Sequence, residues 1–132
     1  MARKDKQKWE FGDFQTPAEL AEEAVSVLLR RDLQPATIIE PSCGKGAFFL
    51  AALEAFPKAS CYVGSDINER HLAHLRSKVH AHLSSQRCRV QHADFFQFNW
   101  REFVETAPSP VLVLGNPPWV TSAELGMLGS DN

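Results

Sequence analysis

The sequence predicts an α/β fold built on an open, parallel sheet, and three observations predict it. Thr37-Ile38-Ile39-Glu40 is a short apolar run that leads through a small-residue turn, Pro41-Ser42-Cys43-Gly44-Lys45-Gly46, into an apolar helix over 47–56, stopped at Pro57. Cys61-Tyr62-Val63-Gly64-Ser65 is a second strand with Asp66 at its carboxyl end, at the ~20-residue spacing from a glycine turn that nucleotide-binding α/β sheets use. Two further strands follow, at 87–92 and 111–115.

Ahead of the first strand, Phe11-Gly12-Asp13-Phe14-Gln15-Thr16-Pro17 leads into a helix. Thr16, Pro17 and Glu19 match a capping box with proline at the first helical position. Leu20, Ala24, Val25, Leu28 and Leu29 then recur at helical spacing. Capping accounts for Thr16 and Pro17, but not for the aromatic, polar and turn-forming Phe-Gly-Asp-Phe-Gln. A helix amino end also attracts a carboxylate.

Gly44 and Gly46 let the backbone approach a ligand where a Cβ would collide. The turn is neither a dinucleotide fingerprint, since Phe49 stands where the third glycine belongs, nor a P-loop, since Gly44-Lys45-Gly46 lacks the Gly-Lys-Ser/Thr ending. Lys45 therefore reads as a solvent-facing turn residue. Asp66 suits a carboxylate that accepts from ribose hydroxyls; it would equally cap the next helix, as would Asn68. In that helix Leu72, Leu75, Val79 and Leu83 define the buried stripe. His71, His74, His80 and His82 do not converge around it, so they read as solvated residues rather than metal ligands. The third strand ends in Ala93-Asp94-Phe95-Phe96. Asp94 could accept from an adenine amino group with Phe95 against the ring, or be a loop residue beside core phenylalanines.

The rigid connector Pro108-Ser109-Pro110 precedes the fourth strand, Val111-Leu112-Val113-Leu114, which runs into Gly115-Asn116-Pro117-Pro118-Trp119. Proline lacks an N–H, fixes its own φ and holds the preceding residue extended. The backbone at Asn116 and Pro117 is thus stiff and rich in acceptors, and the Asn116 amide oxygen adds one more. Two acceptors facing one –NH₂ hold both hydrogens and turn its lone pair outward, while Trp119 offers a π-face worth about 1–3 kcal/mol per stacked base. A Pro-Pro turn closed by a core tryptophan is the alternative.

Together these residues resemble the N6-adenine DNA methyltransferases that use S-adenosylmethionine, and more narrowly the group whose cofactor-end motif precedes the glycine turn. The resemblance is carried by Phe11 to Pro17, Glu40 to Phe48, Asp66-Ile67, Asp94-Phe95 and Asn116 to Trp119, in family order. It implies a Rossmann-like S-adenosylmethionine-dependent methyltransferase fold, here incomplete, with the first four parallel strands and flanking helices of a larger sheet. It implies that Gln15 and Thr16 hold the methionyl end, that Glu40 with Gly44 shapes the pocket under the sulfonium, and that Pro41, Cys43, Gly46 and Asn116 also contact the cofactor. Asp66 would bind the ribose, and Ile67, Asp94 and Phe95 would surround the adenine. Asn116, Pro117, Pro118 and Trp119 would grip and stack a flipped base. A restriction-modification setting is implied as well. Similar clusters serve methyltransferases acting on RNA bases or on protein glutamine amides, and a non-catalytic S-adenosylmethionine-binding fragment is a third reading.

Composition fits one soluble α/β module: 44% of the 132 residues are hydrophobic and 23% charged. A net charge of −2 is unlike a self-sufficient DNA-binding domain, so most DNA contacts are expected outside these residues. Residues 1–10 read as a flexible basic arm without an apolar stretch, hence neither signal peptide nor membrane span. Residues 11–132 read as the amino-terminal part of a catalytic domain whose later strands and target-recognition region lie elsewhere. The fourth strand is then an exposed edge, expected to be covered by self-association or by a carboxyl-terminal half. The cysteines at 43, 61 and 88 form no Cys-x-x-Cys pair, as expected for reduced thiols in a cytoplasm, with no metal site.

Overall fold

In the computed structural model, residues 15–117 are described. Helix α1 (Ala18–Leu29) is followed by β1 (Thr37–Glu40), α2 (Ala47–Ala55), β2 (Cys61–Asp66), α3 (Glu69–His80), a 3₁₀ turn (Ser85–Arg87), β3 (Cys88–His92), α4 (Trp100–Thr106) and β4 (Val111–Val113). The strands form a four-stranded sheet in the order β3-β2-β1-β4. All three pairings are parallel, with Glu40 opposite Gly64, Asp66 opposite His92 and Ile39 opposite Val113. Every strand therefore ends at the same edge of the sheet. The chain steps from β1 to β2 on one side and returns to β4 on the other, which puts the topological switch point between β1 and β4. Open α/β sheets bind their ligands in the crevice outside the strand ends at such a point.

Alternation along the strands divides the buried residues between two faces. Ile38 and Tyr62, paired in register, join Phe49, Leu53, Leu72, Leu75 and Val25 in one apolar cluster beneath α1, α2 and α3. Ile39 and Val63, also paired, are fully buried on the other face. Phe49 fits because β2 makes room for it: a Cβ on Gly64 would stand 3.1 Å from the Phe49 ring. In dinucleotide folds the small residue that brings helix and strand together sits on the helix; here it sits on the strand.

Several expectations are corrected. Pro17 is the N-cap of α1 rather than its first helical residue, and no side chain caps that end, so the Thr16 capping box does not form. With ψ at 141°, Pro17 is still extended, and the chain before it is held over the glycine turn by Gln15. The helix rotates its apolar stripe accordingly: Ala21 and Val25 are buried, whereas Leu20 and Leu29 are exposed. Leu83 lies beyond the end of α3 and is fully exposed; Leu72, Leu75 and Val79 are buried as expected. β3 begins at Cys88, because Arg87 is drawn into the preceding turn, its guanidinium donating to the carbonyls of Pro57 and Ala59 and to Ser84 Oγ. β4 ends at Val113, although Leu114 N–H still donates to the Ile39 carbonyl before Gly115, at φ 141°, turns the chain away. Among the described residues β4 lies at one edge of the sheet, with Val113 half exposed. Residues 1–14 and 118–132, including Phe11 to Phe14, Pro118 and Trp119, lie outside the described residues.

Candidate active site

The turn after β1 is fixed from three directions. Cys43 N–H donates to the Ser65 carbonyl at 2.8 Å, docking the turn on the end of β2, and Gly46 N–H donates back to the Cys43 carbonyl at 2.8 Å. Gly44 N–H donates to Asp66 Oδ2 at 2.7 Å. Lys45 N–H donates to Gln15 Oε1 at 3.0 Å, while the Lys45 side chain faces solvent as expected. Gly44 and Gly46 both have positive φ, 53° and 86°. A Cβ on Gly44 would lie 2.6 Å from Gln15 Oε1, so the amide of Gln15 lies where that side chain would be.

Asp66 is a hub rather than a cap. Its second oxygen, Oδ1, accepts from Asn68 N–H at 2.8 Å, and it is Asn68 that caps α3, accepting from Arg70 N–H at 3.0 Å. The half-buried carboxylate thus joins the glycine turn, the end of β2 and the start of α3. Ile67 is about half exposed beside it, its carbonyl accepting from His92 Nε2 at 2.9 Å. Asp94, past the end of β3, accepts from Phe96 N–H at 2.9 Å in a local turn. Phe95 packs edge-on against Phe96 at 5.2 Å and tilts toward Trp100 at 6.4 Å.

The end of β4 meets the turn after β1. Ser42 Oγ donates to the Asn116 carbonyl at 3.2 Å. A Cβ on Gly115 would lie 3.0 Å from Glu40 Cγ, so only glycine lets the two strand ends approach this closely. The Asn116 carbonyl therefore has a donor already, unlike the open acceptor expected from the proline cluster.

Glu40 is the buried acid of the crevice, only 3% exposed, and its Oε2 has no hydrogen-bond partner among the described residues. Burial pushes its carboxyl well above the usual carboxylate range, and the negative field of Asp66 adds to this, against a backbone hydrogen bond from Phe49. Burial likewise pushes the Cys43 thiol far up, with Glu40 and Asp66 adding to it. Cys43 is therefore a neutral filler and no nucleophile.

The structure brings Gln15, Glu40, Cys43, Gly44, Asp66 and Asn116 together at the carboxyl ends of β1, β2 and β4, with Pro41 and Gly46 in the same turn and Gly46 turned toward Leu75 of α3. Ile67, Asp94 and Phe95 follow the ends of β2 and β3 on the same sheet edge, and Thr16 adjoins Gln15. Sequence reasoning missed Ser42, Gly64, Gly115 and His71. Ser42 and Gly115 lie inside quoted motifs, and their pairing needed the strand order. His71, half-buried on α3, approaches Gln15 Nε2 through its Nε2 at 3.5 Å. Among the described residues there is no cluster of three or more His, Cys, Asp or Glu arranged to hold a metal, and no helix long and apolar enough to cross a membrane.

Residues 2–128 match the family described as N-6 DNA Methylase. The chain belongs to that family. Among curated relatives, the chain is 36% identical over 128 residues to the Type II methyltransferase M.NspV of Nostoc sp., covering 97% of this chain. It is 32% identical over 117 residues to the Type II methyltransferase M.XamI of Xanthomonas campestris pv. amaranthicola, covering 87% of this chain. It spans 26% and 21% of the lengths of those two relatives. Among solved structures, SMU.472, a candidate methyltransferase complexed with SAH, aligns with TM-score 0.59 at 15% identity, covering 89% of this chain and 41% of that one. PH1948 of Pyrococcus horikoshii, a candidate RNA methyltransferase, aligns with TM-score 0.56 at 17% identity, covering 65% and 42%. These likenesses show that the chain has the Rossmann-like fold of those structures.

Proposed function

We propose that this chain is the cofactor-binding and amine-gripping part of an S-adenosylmethionine-dependent DNA methyltransferase that acts on adenine N6 in a cytoplasmic restriction-modification system. The observation that supports the reading is the hydrogen bond from Ser42 to the Asn116 carbonyl, which puts the turn after β1 beside the residue that opens the Asn-Pro-Pro sequence.

The site fits the cofactor: a turn with two positive-φ glycines, the strand-end carboxylate of Asp66 and an unpartnered buried carboxyl oxygen on Glu40. When bound, S-adenosylmethionine supplies an activated methyl group on a sulfonium. Gln15 and Thr16 would hold the methionyl end, and Glu40, Pro41, Cys43, Gly44 and Gly46 would line the pocket. Asp66 uses one lone pair of each oxygen on Gly44 and Asn68, which leaves acceptor capacity for ribose hydroxyls. Ile67, Asp94 and Phe95 would flank the adenine.

Adenine N6 is a poor nucleophile because its lone pair is delocalised into the ring. The Asn116 amide oxygen and the Pro117 carbonyl would accept its two hydrogens, localise the pair and aim it at the donor, an orientation effect. Pro118 would stiffen the acceptors. Trp119 would stack on the base, which must leave the duplex at a cost of a few kcal/mol. The exposed β4 edge would pair with further strands of the catalytic sheet, from a carboxyl-terminal half or a second copy. The deciding experiment gives labelled donor to the intact protein with DNA, RNA and a glutamine-bearing release factor. Label on adenine N6 of DNA supports the reading; label on RNA or protein alone moves the substrate and leaves the amine grip intact.

A further inference from the structure

The proposed function uses Glu40 as a wall of the pocket and leaves its oxygen Oε2 unexplained. Buried polar atoms almost always find a partner, so an unpaired one calls for a reason. Glu40 closes the carboxyl end of β1 and lies against Gly115, one residue before the proposed amine grip. The groups around it make its charge costly. Asp66 faces it from β2 with a negative charge, and Cys43 in the turn is a neutral thiol. The segment from Val111 to Asn116 on the other side carries no charged side chain. At the start of α2 a backbone hydrogen bond from Phe49 favours its anion. Burial outweighs that bond and shifts the balance of Glu40 toward its protonated form.

A methyl donor of this class is a sulfonium cation, and the demethylated product is a neutral thioether. Resting on the cofactor reading above, we propose that Glu40 is the titrating counter-charge of the site, giving up its proton when the cationic donor binds and keeping it when the neutral product binds. The carboxyl O–H bond breaks, the electron pair stays on oxygen and the proton leaves to the buffer; nothing else is exchanged. The site thereby favours substrate over product, and donor affinity becomes pH-linked.

Calorimetry on the intact protein tests this with three ligands in buffers of different ionisation enthalpy: donor, product, and an analogue with a protonated amine in place of the methylated sulfur. Donor and amine analogue should each release close to one proton more than product at neutral pH. Glu40→Gln should abolish that difference and weaken the donor about thirtyfold while leaving product affinity within about twofold. Donor affinity should rise with pH in the wild type, and product affinity should not. Equal proton release by donor and product overturns the proposal, as does a proton released only when the acceptor base is added. If Glu40→Gln does not fold, the wild-type proton counts decide alone. Failure of all three ligands to bind overturns the cofactor reading itself.

Discussion

Gly44 and Asp66, 22 residues apart, are joined by a 2.7 Å hydrogen bond from the Gly44 N–H to the Asp66 carboxylate. The acid that reads as a ligand for sugar hydroxyls also holds the turn that would carry the cofactor. Asp66→Ala should therefore weaken donor binding and lower stability together, the latter by about 1–3 kcal/mol for lost charge-assisted bonds. Donor titration and denaturant melts measure the two. Loss of binding with unchanged stability would mean that the bond to the turn contributes nothing.

Gly64 leaves room for Phe49. Gly64→Ala puts a methyl 3.1 Å from the ring and should cost about 1–3 kcal/mol of stability through overpacking. Adding Phe49→Leu should return part of that loss, so that the double variant is more stable than the sum of the single effects predicts. Additive costs would show that the two residues do not press on each other.

The raised carboxyl of Glu40 has a defined consequence for stability. Between the ordinary glutamate pKa and the folded value, the native state binds more protons than the unfolded state, so stability falls as pH rises through that window. The contribution is whole below the window. Glu40→Gln, which stays neutral, should flatten the decline and be more stable than wild type at the alkaline end. Urea melts across the window measure both slopes, and parallel slopes would contradict the assignment.

The thiols should be slow to react. Burial pushes Cys43 and Cys61 up and takes Cys88 to about 11, with Arg87 opposing the shift at Cys88. At neutral pH the native protein should be alkylated far more slowly than the denatured chain, with Cys43 the slowest because it is buried. Mass spectrometry of a timed alkylation reports the order.

Most of the fold was legible because local signals agreed with it. The Thr37–Glu40 run, the glycine turn and Asp66 each lie where sequence reasoning puts them, since apolar runs, positive-φ glycines and strand-end acids leave local signatures. Errors fell where tertiary contact overrides local preference. Thr16 looks like a cap, but Gln15 is tied to Lys45 and Pro17 remains extended. Leu83 has the right spacing for the α3 stripe, but the helix ends at His80. The local placement of the candidate residues was legible, and their assembly was not. Nothing in the chain announces that Ser42 reaches Asn116, because that depends on β4 pairing with β1 rather than with β3.

The most direct test of a shared crevice is Asn116→Ala in the intact protein, with methyl transfer to adenine and donor affinity measured side by side. Transfer should be lost while donor affinity stays within about threefold of wild type, a difference of less than ~1 kcal/mol. Retained transfer, or donor binding lost in step with it, would contradict the account.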